Sequence, residues 1–119
     1  MQQQLSQINK NINNMNINTI NNQELKFPDG KYIGQVVNGM TEGKGIFHGV
    51  NGDRYEGEWR NNKKEGKGIY YFSSGNRYEG DYRNGNKEGK GIFYFAKGDR
   101  RMGDYLDDLF FLLSFLKNQ

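Results

Sequence analysis

Rows of cations recur at a fixed interval along this chain of 119 residues and form its strongest chemical signal. Lys44, Lys67 and Lys90 make one row, Arg54, Arg77 and Arg100 a second, and Arg60 with Arg83 a third. Ammonium and guanidinium groups set out this way suit an anionic counterpart, either an acidic protein segment or the phosphates of an anionic phospholipid surface. Acidic rows run beside them: Glu42, Glu65 and Glu88, and Glu56 with Glu79. Between Tyr32 and Arg100 there are 12 basic and 9 acidic residues, so a mixed, solvated face competes with a dedicated lipid site.

Other chemistry is thin. His48 is the sole histidine, and its repeat column is filled elsewhere by Tyr71 and Tyr94, which favours a sheet position over a catalytic base. Ser73 and Ser74 sit in a turn signal with no base nearby. Asp53 and Asp99 recur at repeat spacing, as a solvated column rather than an oxygen cage for a metal. With no cysteine, thiolate ligands, a cysteine nucleophile and a disulfide frame are all ruled out. Gly43-Lys44-Gly45 and its copies lack the strand–loop–helix setting of a phosphate-binding loop. The expectation is a protein with no catalytic residues, no metal site, no cofactor and no enzymatic activity.

Whatever presents these cations has little aliphatic material to build with. A hydrophobic fraction of 34% is well under the roughly 45–50% of an ordinary domain, so a deep two-layer core is not expected. Aromatics at 14% argue against full disorder, and 17 glycines argue against a helical bundle. A net charge of +3 from 17 basic and 14 acidic residues is too mixed for a nucleic-acid-binding face. The start lacks a secretory pattern, and the apolar run Leu109–Leu116 is far short of the roughly 20 residues that span a bilayer. An intracellular location follows as an expectation.

The positioning element is a repeat. Tyr55–Arg77 (YEGEWRNNKKEGKGIYYFSSGNR) and Tyr78–Arg100 (YEGDYRNGNKEGKGIFYFAKGDR) align without a gap, and Tyr32–Arg54 is a weaker copy. Residues 25–31 resemble the end of a preceding copy, and 101–105 begin another that stops short. Within a copy, Tyr55-Glu56-Gly57-Glu58-Trp59 alternates as a half-buried strand does, and Gly66–Phe72 reads as its neighbour. Asn61-Asn62, Asn38-Gly39 and Asn84-Gly85 supply residues that tolerate positive φ in tight hairpins. The repeat therefore predicts an all-β, elongated, single-layer antiparallel meander of hairpins. Alternation puts Tyr55, Gly57 and Trp59 on one face of their strand and Gly68, Tyr70 and Phe72 on one face of the next. If these faces coincide, rings lie over bare glycine, a device of twisted sheets. Tyr78, Gly80, Tyr82, Gly89 and Gly91 repeat the pattern set by Tyr55, Gly57, Trp59, Gly66 and Gly68.

The flanks differ. In residues 1–24, 13 positions are Asn or Gln, the composition of a disordered tail, although Leu5, Ile8, Ile12, Met15 and Thr19 keep a heptad spacing. Residues 106–119, with Asp107-Asp108 ahead of an apolar run and Lys117 behind it, predict a short helix capping the last hairpin.

The block YEGEWRNNKKEGKGIY at 55–70, with its relatives at 78–93 and 32–47, resembles the MORN motif (membrane occupation and recognition nexus). The resemblance covers about residues 25–105. It implies strung hairpins, a non-catalytic interaction role and a protein partner, with a cytoskeletal or ciliary setting among those the family occupies. Homodimerisation recurs among such proteins, and binding to anionic phospholipid is claimed for some. MORN arrays also precede catalytic domains in phosphatidylinositol phosphate kinases and SET-type methyltransferases, so a regulatory segment of such an enzyme is a further expectation. The first copy departs from the motif at Ile33, Gln35, Val36 and Gly49, which predicts that it is the loosest or that it faces a partner.

Overall fold

A computed structural model describes residues 19–111, the first two by backbone alone, as nine antiparallel strands in one open sheet. They are β1 (Thr19–Phe27), β2 (Gly30–Val37), β3 (Met40–Gly49), β4 (Arg54–Arg60), β5 (Lys63–Tyr71), β6 (Arg77–Arg83), β7 (Asn86–Tyr94), β8 (Arg100–Leu106) and β9 (Leu109–Phe111). Spatial order equals chain order, so every strand pairs with the next in sequence. Such a meander needs only local hairpins; Pro28-Asp29 joins β1 to β2, and two kinds of turn supply the rest.

Asn38-Gly39, Asn61-Asn62, Asn84-Gly85 and Asp107-Asp108 each place two successive residues at φ between 47° and 88°. That is the geometry of a two-residue turn matched to the twist of its strands. The longer turns at the opposite sheet margin each use one glycine at positive φ, Gly52, Gly75 or Gly98. Each repeat also carries a bulge. The register slips after Gly34, Gly57 and Gly80, and Gly43, Gly66 and Gly89 on the partner strands take φ near 70° where those strands carry two extra residues.

The core is a strip of rings on one face. Tyr32, Tyr55 and Tyr78 are essentially buried. Their hydroxyls donate to the carbonyls of Gln35, Glu58 and Asp81 at 2.6, 2.9 and 3.0 Å. Each ring occupies the space a β-carbon would need at Gly45, Gly68 or Gly91 on the adjoining strand. Edge-to-face contacts then link repeats: Tyr32–Trp59 at 5.2 Å, Tyr55–Tyr82 at 5.2 Å and Tyr78–Tyr105 at 5.1 Å. Contacts of this kind add about 0.5–1.5 kcal/mol each beyond burial. The all-β meander and the ring-over-glycine packing both follow the sequence expectation.

Three expectations need correction. The sheet begins at Thr19, so residues 19–24, assigned to the Asn/Gln-rich tail, belong to β1; the rest of the disordered-tail expectation, 1–18, lies outside the described residues. No helix starts at 106. Asp107-Asp108 takes the hairpin-turn geometry of Asn61-Asn62, and Leu109–Phe111 pairs back on Asp104–Leu106. An uninterrupted apolar run fits strand or helix equally well, and here the repeat register decides. The copy that seems to stop at 105 thus continues to at least 111, and Phe110 packs on Tyr105 at 5.3 Å, closing the ring strip. Residues 112–119 lie outside the description. Nor is the first copy loose. Val36 and Thr41 are buried, and the Gln35 side chain accepts the Lys44 N–H at 2.7 Å, as Glu58 accepts that of Lys67.

Candidate functional site

Residues that alternate with the rings point to the other face. Cross-strand register sorts them into rows running across the strands. One row reads Ile33, Ile46, Glu56, Ile69, Glu79, Ile92, Met102. Two residues along the strands from it lies a polar row in which Lys44 faces Glu58, Lys67 faces Asp81 and Lys90 faces Asp104. On the other flank run Lys31, His48, Arg54, Tyr71, Arg77, Tyr94 and Arg100.

The first two rows are the walls of one long open groove of about 1370 Å³, floored by the backbone of Gly34, Gly45, Gly57, Gly68, Gly80, Gly91 and Gly103. The groove crosses β2 to β8 and reaches Asn22 of β1. The isoleucines are half-buried, and Met102 at the end of the row is 58% exposed. No other layer covers this face among the described residues.

The three predicted cation rows do not form one site. Lys44, Lys67 and Lys90 do line the groove, yet each stands opposite a carboxylate, and Lys67 bridges Asp81 at 3.1 Å. Together the walls carry five carboxylates against three ammonium groups. Arg54 and Arg77 lie behind the isoleucine row, stacked on Tyr71 and Tyr94 at 4.2 and 4.1 Å and bridged to Glu56 and Glu79 at 3.4 and 3.1 Å. Arg100 continues that row beside Tyr94 and is exposed. Arg60 and Arg83 sit at the hairpin ends, and Arg60 lines a separate cleft of about 300 Å³ with Asn61, Lys63, Glu65 and Asn84. Tyr55, Gly57, Trp59, Gly66, Gly68, Tyr78, Gly80, Tyr82, Gly89 and Gly91 all serve the ring strip and its bulges.

Two features escaped the sequence reading. Isoleucine recurs at 46, 69 and 92, and its parity, opposite to that of Gly68 and Tyr70, was enough to put it on the second face. The Glu42, Glu65 and Glu88 column is not merely solvated. Their carboxylates accept the backbone N–H of Asn61, Asn84 and Asp107, one hairpin on, at 3.0, 2.9 and 3.4 Å. Reinforcing this link, the N–H groups of Asn62, Gly85 and Asp108 donate to the carbonyls of Thr41, Lys64 and Lys87. Neighbouring hairpins are thus tied by main-chain and side-chain bonds that hold the groove walls in register.

Protonation is shifted mainly on the ring side. Burial pushes the phenols of Tyr32 and Tyr70 up to about 12, and those of Tyr55, Tyr78 and Tyr82 higher still. Burial also lowers the Lys64 ammonium, whose Nζ lies 5.3–5.7 Å from the centres of Tyr55, Tyr70 and Tyr82. For Asp53, burial opposes ionisation, but bonds from the Ser73 N–H, the Tyr70 hydroxyl and Asn51 outweigh it and hold the carboxyl below its usual range. Among the described residues no three His, Cys, Asp or Glu side chains converge to hold a metal ion.

A family model described as MORN repeat matches residues 32–54, 55–77 and 78–100. These are the three copies read from the sequence, with the same boundaries. No curated protein matches the chain.

Proposed function

The chain belongs to the MORN-repeat family, and from that premise we propose that it is a non-catalytic scaffold that docks a protein partner in the groove between the isoleucine and lysine rows. MORN repeats are interaction modules for proteins and membranes, and the question is which of the two this groove suits. One observation favours protein: the lysine wall alternates in charge sign from strand to strand, beside a row in which isoleucines alternate with Glu56 and Glu79. An anionic bilayer rewards clustered cations. Here every wall lysine faces a carboxylate, so their attraction for phosphate is largely cancelled at the spacing of neighbouring strands, roughly 4.8 Å, well inside the Debye length. A protein surface can match both signs and cover the isoleucines as well. We place the partner within the cell, at the cytoskeleton or cilium, in keeping with the settings of MORN proteins.

A photo-crosslinking residue introduced at position 69, in the groove, and in a separate variant at Val50, exposed in a turn at the sheet margin, tests this reading in cells. Protein adducts from position 69 but not from position 50 support it. Adducts to lipid alone, or equal protein adducts from both positions, overturn it.

A further inference from the structure

Successive hairpins meet at three equivalent junctions near their tips, and the middle one lacks a part. Thr41, Lys64 and Lys87 hold the same place in the three copies. Their carbonyls accept the N–H groups of Asn62, Gly85 and Asp108 from the following hairpin, at 3.3, 2.9 and 3.1 Å. Two junctions are closed a second time by a side chain. Asn62 Oδ1 accepts the Thr41 N–H at 2.9 Å, and Asp108 Oδ1 accepts the Lys87 N–H at 2.7 Å. Gly85 has no side chain, so the Lys64 N–H meets no such acceptor.

Charge sharpens the contrast. The two lysines lie alike over the ring strip. Lys87 Nζ is 5.4 and 5.9 Å from the centres of Tyr78 and Tyr105, and Lys64 Nζ is 5.7 and 5.4 Å from those of Tyr55 and Tyr82. Lys87 has the Asp108 carboxylate at 3.9 Å, whereas no ion pair among the described residues includes Lys64. Burial holds the Lys64 ammonium below its usual range; Asp108 and Asp29 counter this only from a distance, and Lys87 adds to it. A half-buried ammonium without a counter-ion, beside an N–H without an acceptor, is costly to leave unmatched.

The place for the missing group is open. A β-carbon at Gly85 would meet no atom within 4 Å. Gly85 takes φ of +88°, near the +66° and +69° of Asn62 and Asp108, so the backbone there matches its neighbours. We infer that the Lys64–Gly85 junction is a binding site for one carboxylate, either free or carried on an Asp or Glu side chain of a protein. One oxygen accepts the Lys64 N–H and the ammonium stands beside it, as Asp108 serves Lys87. Lys64 lies on the ring face, away from the groove, so this site stands apart from the docking reading above.

NMR of the 1–119 protein, titrated at neutral pH with sodium acetate and with sodium chloride at matched ionic strength, tests this. The Lys64 amide should shift saturably with acetate and hardly with chloride, while the Thr41 and Lys87 amides, already capped, stay in place. Gly85→Asp supplies the carboxylate within the chain, at a φ that Asp tolerates, and should abolish the acetate response. Asp108→Gly, which leaves a residue at ease with positive φ, should make the Lys87 amide respond in its turn. The peptide acetyl-Gly-Glu-Gly-amide separates the sources: saturation at lower concentration than acetate supports a protein side chain, and at equal or higher concentration a free carboxylate. Equal shifts with chloride, meaning an adventitious ion only, overturn the proposal. So does a Lys64 amide unmoved by acetate and peptide, or a response that survives in folded Gly85→Asp. If Gly85→Asp unfolds, Asp108→Gly decides, and a Lys87 amide that stays unresponsive there overturns it.

Discussion

The ring of Tyr55 lies on the backbone of Gly68 in the neighbouring strand, filling the volume that a β-carbon at position 68 would need. Trp59 and Tyr82 hold that ring edge-to-face from two sides, at 5.1 and 5.2 Å, so it has nowhere to go. Gly68→Ala should therefore destabilise the protein by about 2–3 kcal/mol, the cost of forced overpacking. Gly39→Ala meets no atom within 4 Å and suffers only from its φ of +75°, so its cost should be about 1 kcal/mol. Denaturant melts of the two variants check the difference. Equal losses would show that turn strain, not ring packing, dominates both.

The carboxylate of Glu65 accepts the Asn84 N–H from the next hairpin at 2.9 Å. Glu65→Ala should cost about 1 kcal/mol, the net worth of one such bond. Amide exchange gives a finer reading. The Asn84 amide should lose protection in the variant while the Asn61 amide, capped by Glu42, should not. Unchanged exchange at Asn84 would leave this inter-hairpin tie without energetic weight.

At high pH the ring strip should become the weak point. An unfolded tyrosine ionises near 10, whereas Tyr32 and Tyr70 are held up to about 12 by burial. Their folded values are raised, so the associated stability is whole below pH 10 and drains away as the pH climbs toward 12. Followed residue by residue by NMR, the Tyr32 and Tyr70 phenols should ionise with the loss of the circular-dichroism signal rather than before it. Either of these two phenols titrating near 10 in the folded protein would contradict the packing described for its ring.

Asp53 sets an acid limit in the opposite sense. Its folded value is lowered, so its contribution is present above the unfolded carboxyl range, about 3.9, and lost as the pH falls through the folded value. Asp53→Asn should flatten the fall in stability of the wild type below pH 4, and should free the Tyr70 hydroxyl and the Ser73 amide to exchange faster. A wild-type acid profile retained by the variant would remove Asp53 from this role.

Most of the sheet was legible because its instructions are local and repeated. Glycine columns, Asn-Gly turns and period-two alternation mark each hairpin within one copy, and three copies outvote chance. The ends were harder. Leu109–Phe111 has strand register only through Asp104–Leu106, a pairing that composition does not signal, and Asp107-Asp108 passes for a helix start as readily as for a turn. The cation rows were visible as columns, but whether they cooperate depends on what stands opposite. Lys67 facing Asp81, and Arg77 stacked on Tyr94, are facts of cross-strand pairing. Ile69 carried its own signal in its parity, obscured because a lone isoleucine between Gly68 and Tyr70 looks like core.

One comparison separates the isoleucine face from the cation rows most directly. The folded triple variant Ile46→Asp/Ile69→Asp/Ile92→Asp and the charge-reversed Lys44→Glu/Lys67→Glu/Lys90→Glu protein are set beside the wild type. Each is assayed for recovery of the protein crosslinked at the groove and for flotation with neutral and anionic vesicles at low and physiological salt. Docking through the groove predicts loss of the protein partner in the isoleucine variant, a smaller loss in the lysine variant, and flotation with neither kind of vesicle. Partner binding untouched by the isoleucine changes, or salt-sensitive flotation with anionic vesicles that the lysine reversal abolishes, would contradict it.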